Sequence, residues 1–170
     1  MGAAGNMMRV IGIHDDDRLA SPFNVLFLCT GNSARSLMAE ALLRSKGGDA
    51  FEVHSAGTHP KGVNPLTLRV LGDAGLDASW ARSKSVEEYL GQSFDYVITV
   101  CDEARQECPV FPGVHQSLHW GYEDPAEAEG SEEERLAVFR RVFIQLGERI
   151  GAFIPLARKH RTEVDATTLA

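Results

Sequence analysis

A potential nucleophile and a permanent cation lie close together near the start of the chain. Cys29 and Arg35 are six positions apart, Gly31 and Asn32 stand between them, and Ser36 follows directly. A thiolate is a strong nucleophile, and a guanidinium donates two parallel N–H groups to a tetrahedral oxyanion. The charge of Arg35 and a hydrogen bond from Ser36 would both lower the pKa of Cys29. The stretch therefore predicts an oxyanion site in which Cys29 attacks the bound anion.

The segments on either side of this stretch predict how it is held. Residues 23–28 form a short apolar run that favours a strand, whereas residues 37–44 are mostly strong helix formers. A loop that ends at a helix N-terminus presents unpaired backbone N–H groups and a partial positive charge. The residues predicted to bind the oxyanion are Thr30, Gly31, Asn32, Ser33, Ala34 and Arg35.

Two other interpretations of this loop fit less well. A buried apolar cysteine at a strand end is common, but it does not account for the Gly, Asn, Arg and Ser that follow Cys29. A Walker-type nucleotide loop needs Gly-Lys-Ser or Gly-Lys-Thr before its helix, and no Lys occurs between Cys29 and Arg44. Anion chemistry at Cys29 is the prediction that explains the whole stretch.

The composition limits the class of protein. A chain of 170 residues with 44% hydrophobic content can bury one core, so we expect a single catalytic domain over residues 23–157. The net charge of −7 argues against nucleic-acid binding, and no apolar run is long enough to span a membrane. We expect a monomer with a flexible extension at residues 1–22 and a flexible tail at residues 158–170.

The cysteine count indicates the cellular compartment. Three cysteines are an odd number, which argues against a framework of structural disulfides. The apolar residues 7–13 are too few for a secretory signal. We therefore expect reduced thiols and a cytoplasmic location.

Strand and helix patterns alternate along the chain. This alternation predicts an α/β fold with a doubly wound, four-stranded parallel sheet and helices on both faces. Ligands bind at the carboxyl ends of strands in such sheets, and Cys29 and Cys101 each follow a predicted strand. The predicted strands are residues 23–28, 51–56, 94–100 and 114–120, and the predicted helices are residues 37–44, 65–71, 86–90 and about 131–154.

A set of motifs along the chain points to a known family. The Cys-x5-Arg-Ser pattern at Cys29, with Asp124 and Pro125 near the last strand, resembles the low-molecular-weight protein tyrosine phosphatase fold. Within that fold the sequence most resembles the thiol-dependent arsenate reductases, over about residues 23–153. The other motifs that match in order are Ser55-Ala56-Gly57, Val63-Asn64-Pro65, Val100-Cys101, Cys108-Pro109, His119-Trp120-Gly121 and Asp124-Pro125-Ala126.

The resemblance implies a reaction and a role for each matching residue. Cys29 would attack arsenate held by Arg35, with Ser36 supporting the sulfur, and Asp124 would protonate the departing oxygen. Cys101 would then attack the Cys29 sulfur and release arsenite. Cys108 would take over the disulfide from Cys101, and a thioredoxin-like reductant would reduce it. We expect no cofactor and no bound metal, and phosphate and sulfate would compete with arsenate. Glutaredoxin or mycothiol coupling stays open, since each uses fewer protein thiols.

The spacing of the second and third cysteines sets a condition on that relay. Cys101 and Cys108 are seven positions apart, which on a straight helix separates them by roughly 10 Å. A disulfide needs a Cα separation of about 4.4–6.8 Å. The segment between them must therefore loop or unwind on oxidation, and the break at Pro109 favours this.

The chain departs from the family pattern at two positions. Many thioredoxin-coupled members carry a cysteine where this chain has Ala34. Many also bind potassium behind the loop; Asn32, Glu40 and Ser55 match three of its ligands, but Lys84 replaces the aspartate. An ammonium group there would stand in for the cation, so we expect no potassium dependence.

Two alternatives to arsenate reduction stay open at this point. A tyrosine phosphatase would use Cys29, Arg35 and Asp124 without the other thiols, although residues 126–128 lack the aromatic groups that usually grip its substrate. A zinc site is the second alternative, although its cysteine spacing exceeds the usual two to four residues. Its ligands would be Cys101, Cys108, His115 and His119.

Overall fold

The computed structural model of the protein describes residues 21–168. The predicted extension at residues 1–22 lies almost entirely outside the described residues. In the part that is described, no helix is both long and apolar enough to cross a membrane.

A parallel sheet forms the centre of the molecule. Its strands are β1 (Phe23–Cys29), β2 (Phe51–Gly57), β3 (Tyr96–Thr99) and β4 (Gln116–His119), in the order β2-β1-β3-β4. Every pair of neighbours is parallel. The two central strands are buried along nearly their whole length, which explains why their sequences are continuous apolar runs and not alternating patterns. The α/β prediction with a four-stranded parallel sheet is confirmed.

Within residues 21–168, four α-helices pack around this sheet. They are α1 (Arg35–Gly47), α2 (Pro65–Asp73), α3 (Asp102–Gln106) and α4 (Glu132–Thr168), and 3-10 helices cover Val86–Tyr89 and Pro125–Glu127. Two of these helices begin with side-chain caps of the kinds that Asn64-Pro65 and Ser131 with Glu134 favour. The side chain of Asn64 accepts from the Leu66 N–H, and Ser131 and Glu134 form the reciprocal bonds of a capping box.

The last helix is longer than its sequence pattern predicts. The apolar spacing predicts an end near residue 154, but α4 continues through Pro155 to Thr168, so residues 158–168 are helical where a flexible tail is expected. Tertiary contacts explain the extension. Ala157 is buried, and the guanidinium of Arg161 lies 3.4 Å from the ring centre of Phe23 while donating to the Ser21 carbonyl. The predicted helix end near residue 154 was wrong, because these contacts hold the last turns of α4 without an apolar stripe.

Candidate active site

The loop between β1 and α1 has its carbonyl groups turned away from its concave side. Four of these carbonyls accept hydrogen bonds from the segment that follows β2. The pairs are Cys29 with Thr58 (3.2 Å), Thr30 with His59 (2.8 Å), Gly31 with Lys61 (2.9 Å) and Ser33 with Asn64 (3.0 Å). In a trans peptide the N–H points opposite to the carbonyl of the same peptide unit. The N–H groups of residues 30, 31, 32 and 34 therefore face the concave side, where an oxyanion would be held.

Asn32 fixes the shape of this loop. Its φ of 43° is the left-handed conformation that asparagine tolerates better than most residues. Its buried amide donates to Ser36 Oγ (2.8 Å) and Ser55 Oγ (2.9 Å), and its Oδ1 accepts from the Lys84 backbone N–H (2.7 Å). The side chain thus holds the loop from behind and does not line its concave side.

Gly57 allows the end of β2 to approach the loop. A methyl group placed on Gly57 would lie 2.5 Å from the Thr30 carbonyl oxygen and 2.9 Å from the Asn32 nitrogen. Real Cβ atoms do not come that close to backbone atoms, so a larger residue would displace the loop. This contact explains the glycine of the Ser55-Ala56-Gly57 motif.

Cys29 lies at the base of the loop with several donors around its sulfur. Ser36 Oγ is 2.8 Å from Sγ, and the Asn32 N–H donates to Sγ at 3.1 Å. Because Ser36 Oγ already accepts from Asn32, its own hydrogen is free to donate to the sulfur. Burial is the largest influence and raises the pKa of Cys29, whereas Ser36, Arg35 and the Asn32 N–H act to lower it. This direction is opposite to the lowered pKa expected from the sequence, because burial of the thiol outweighs the donors.

Arg35 and Asp124 meet across the loop. Arg35 Nη2 is 2.9 Å from Asp124 Oδ2, and Nη1 donates to the Tyr122 carbonyl at 2.9 Å. The other carboxylate oxygen of Asp124 accepts from the Ala126 N–H and starts a 3-10 helix. The candidate general acid is therefore held against the loop by one bond to a cation and one to the backbone.

A cavity of about 250 Å³ opens over these groups. It contains Cys29, Arg35 and Asp124 together with most of the residues predicted to bind the oxyanion. The lining residues are Cys29, Thr30, Gly31, Ser33, Ala34, Arg35, Lys61, Asp124, Ala126 and Glu127. Sequence reasoning missed Lys61, since no pattern connects it with Cys29. Its backbone N–H bonds to the Gly31 carbonyl, which places a second cationic side chain at the cavity.

The structure brings the second cysteine to the loop but not the third. Cys101 follows β3, is buried, and its Sγ lies 3.4 Å from the Thr30 hydroxyl. Cys108 lies beyond α3, half-buried, with its Sγ 3.6 Å from the Pro109 carbonyl oxygen. Burial raises the pKa of Cys108. All three thiols are free.

The zinc alternative finds no support in residues 21–168. Within them, no three His, Cys, Asp or Glu side chains come together in a way that could hold a metal ion. His119 bonds instead to Thr99 and Asp102, while Cys101 faces Thr30.

A buried lysine lies beneath the loop, at the position where Lys84 replaces the expected potassium-binding aspartate. Lys84 Nζ is 3.4 Å from Glu40 Oε2, 3.4 Å from Ser55 Oγ and 3.2 Å from the Arg82 carbonyl oxygen. Burial lowers the pKa of Lys84, and the charge of Glu40 opposes that effect. The ammonium group therefore sits among oxygen atoms of the kind that would bind a monovalent cation.

The fold and this loop define the class of protein. The model of the low molecular weight phosphotyrosine protein phosphatase family matches residues 24–165, and the chain belongs to that family. An arsenate reductase of Halalkalibacterium halodurans is 44% identical over 129 residues, which cover 76% of this chain and 93% of that protein. The solved arsenate reductase of Archaeoglobus fulgidus is 32% identical with a TM-score of 0.63, covering 77% of this chain and 98% of that one. A thioredoxin-dependent arsenate reductase of Corynebacterium glutamicum is also 32% identical, with a TM-score of 0.52 over 81% of this chain and 66% of that one.

Proposed function

We propose that this protein reduces arsenate to arsenite by a three-thiol relay. One observation carries the proposal: Cys101 Sγ lies 3.4 Å from Thr30 Oγ1 in the loop that begins at Cys29. A phosphatase of this fold needs only one thiol, so a second thiol beside the oxyanion loop indicates redox chemistry. The names of the relatives support the same reaction.

The first step is attack by the Cys29 thiolate on arsenic. The backbone N–H groups of the loop and Arg35 would hold the three oxygens that stay on arsenic. Asp124 lines the same cavity and would give a proton to the departing oxygen, which leaves as water. The product is a Cys29 sulfur–arsenic(V) adduct. Phosphate and sulfate have the same tetrahedral shape and would compete for the loop.

The second step transfers two electrons to arsenic. The Cys101 thiolate would attack the Cys29 sulfur, forming the S–S bond while the S–As bond breaks. The electron pair of the broken bond stays on arsenic, which leaves as arsenite. Two thiols have then become the Cys29–Cys101 disulfide, so the electrons balance.

The third step regenerates the loop. The Cys108 thiolate would attack Cys101, and Cys29 would leave as a thiolate beside Arg35. Backbone bonds from Arg105 and Glu107 to the carbonyls of Cys101 and Glu103 hold the ends of α3, and we expect them to break when the two thiols come together. A thioredoxin-type dithiol is the proposed reductant of the Cys101–Cys108 disulfide, and such a reductant together with free thiols favours the cytoplasm.

Slow hydrolysis of aryl phosphates is the alternative activity of the same cavity. Cys29, Arg35 and Asp124 suffice for that reaction, as in a tyrosine phosphatase. The side chains of Ala126 and Glu127 form the cavity wall after Asp124 and offer no ring on which a phenyl group could stack. We therefore expect this hydrolysis to be a minor activity.

A single-turnover experiment tests the relay. The reduced protein is mixed with arsenate without added reductant; arsenite is measured, and the thiols are mapped by mass spectrometry. We expect about one arsenite per chain and a Cys101–Cys108 disulfide. Cys108→Ser should stop at the Cys29–Cys101 disulfide after the same arsenite release, whereas Cys101→Ser should release none. Three free thiols, no arsenite and steady hydrolysis of p-nitrophenyl phosphate would instead identify a phosphatase.

The electron donor needs a separate measurement. With the Cys101–Cys108 disulfide formed, thioredoxin should restore multiple turnovers, whereas glutaredoxin with glutathione should not. Equal turnover with either donor would contradict thioredoxin coupling. Gel filtration in the same buffer would test the expected monomer.

A further inference from the structure

One imidazole ring connects the residues on both sides of Cys101. His119 ends β4; its Nδ1 is 2.8 Å from the Thr99 hydroxyl and its Nε2 is 2.9 Å from Asp102 Oδ1. Thr99 is two positions before Cys101 and Asp102 is directly after it. A carboxylate only accepts hydrogen bonds, so Nε2 donates to Asp102, and the other ring nitrogen pairs with the Thr99 hydroxyl.

Gly121 leaves the space that this ring occupies. A methyl group on Gly121 would lie 3.3 Å from His119 Nε2 and 4.0 Å from Asp102 Oδ1. The first distance is tighter than most Cβ contacts, so a side chain there would press on the bond between His119 and Asp102. The His119-Trp120-Gly121 motif thus makes room for the contact between His119 and Asp102, a feature that the three-thiol relay does not by itself explain.

The helix after Cys101 needs such an attachment. Helix α3 has only five residues, and a helix that short is not stable without contacts to the rest of the protein. Its buried Ala104 packs into the core, and at its far end Glu107 lies 3.4 Å from His59. The contact between Asp102 and His119 is shorter, at 2.9 Å, and it lies directly beside Cys101.

We propose that His119 is a positioning residue that holds Cys101 beside the oxyanion loop for the second step of the relay. The inference rests on the proposed function, because it assigns His119 to the attack of Cys101 on Cys29. In that step the Cys101–Cys29 bond forms, the S–As bond breaks, and its electron pair leaves with arsenite. His119 touches none of these atoms; it acts through Asp102 and Thr99 on the backbone that carries Cys101.

The expected effect is moderate. The Asp102 side chain is 81% exposed and that of His119 is 22% exposed, so solvent weakens their interaction. An interaction of this kind corresponds to a change of about three- to fivefold in a rate constant. A much larger loss would point to a role beyond positioning.

The rate of arsenite release in a single turnover tests the proposal, with hydrolysis of p-nitrophenyl phosphate as the reference reaction. His119→Ala should release arsenite about three- to fivefold more slowly while hydrolysing the aryl phosphate at the normal rate. His119→Gln, whose amide can still donate to Asp102, should recover most of the loss. His115→Ala is the matched control, because His115 lines the same groove beside Cys108 and has no bond to α3 among those described. An unchanged rate in His119→Ala, or a loss in His119→Gln or His115→Ala as large as that in His119→Ala, would overturn the proposal.

Hydrogen exchange provides a test that needs no arsenate. The amides of Arg105 and Glu107 bond to the carbonyls of Cys101 and Glu103, so their exchange reports whether α3 is closed. Both His119→Ala and Gly121→Ala should speed their exchange about three- to fivefold, while amides of β1 stay protected. Normal exchange in both variants would refute the attachment. If both variants exchanged faster but the wild-type protein released no arsenite, the attachment would be real and the proposed function would be wrong.

Discussion

Lys84 and Glu40 form a buried ion pair beneath the oxyanion loop, and Lys84→Met should destabilise the fold. Lys84 Nζ is 3.4 Å from Glu40 Oε2, with side chains that are 6% and 1% exposed. Met removes the charge and keeps a side chain of similar length. The backbone N–H of residue 84 would still bond to Asn32 Oδ1, so the loop keeps its support.

The size of the effect follows from what remains around Glu40. Removing one partner of a buried ion pair costs about 3–5 kcal/mol, because the other charge stays buried without compensation. Arg44 and Ser55 still bond to Glu40 in the variant, so we expect the lower end, about 3 kcal/mol. In a protein of this size each kcal/mol lowers Tm by about 2–4 °C. The variant should therefore melt roughly 6–12 °C below the wild type.

Urea unfolding and thermal melts of the reduced protein measure this difference. Arg82→Met is the matched control, because Arg82 lies two positions away and pairs with Glu88 at the surface, where solvent screens the charges. The control should melt close to the wild type, and the urea m-values of all three proteins should agree. If Lys84→Met melted with the control, the pair would not be a source of stability.

Three further outcomes are expected. Wild-type arsenite release should be the same in potassium and sodium at equal ionic strength, since Lys84 occupies the cation position; a several-fold advantage of potassium would contradict this. Lys61 lines the cavity and would attract the arsenate anion, so Lys61→Ala should raise KM for arsenate about three- to tenfold with little change in kcat, and more so at low salt. Lys46→Ala, on the exposed face of α1, should leave KM unchanged. A lower kcat at unchanged KM in Lys61→Ala would refute this electrostatic role. Iodoacetamide should modify Cys108 slowly at neutral pH and faster as pH rises above the ordinary thiol range, because burial raises its pKa and less thiolate is present below it. A Cys108 rate that levels off near neutral pH would contradict that direction.

The local features of the loop are predictable from the sequence because they depend on neighbours in the chain. A strand, a positive φ at Asn32 and a helix beginning at Arg35 arise from side chains within a few positions of one another. The caps at Asn64 and Ser131 are local for the same reason. The parallel sheet follows from the alternation of strands and helices, whereas the strand order β2-β1-β3-β4 was not predicted.

The electrostatics of the cavity depend instead on groups that are distant in sequence. Asp124 reaches Arg35 only because the chain after β4 returns to the loop, and the Asp124 motif was recognisable by resemblance alone. Lys61 enters the cavity through a backbone bond to Gly31 that has no signature in the sequence. The pKa of Cys29 went in the direction opposite to its prediction, because burial acts over the whole folded environment whereas donors can be counted locally.

Local sequence patterns thus identify the reactive residues of the site, whereas the fold sets their burial and their charged partners. Residue types and spacing identify Cys29 and Arg35, and Cys101 follows a predicted strand, whereas the relay roles of Cys101 and Cys108 were implied by the family resemblance. Three features could be seen only in the tertiary structure. They are the burial of Cys29, the pairing of Lys84 with Glu40, and the extension of α4 beyond its apolar stripe. The physical reason is that desolvation and long-range charge pairing are properties of the packed interior, which no window of neighbouring residues contains.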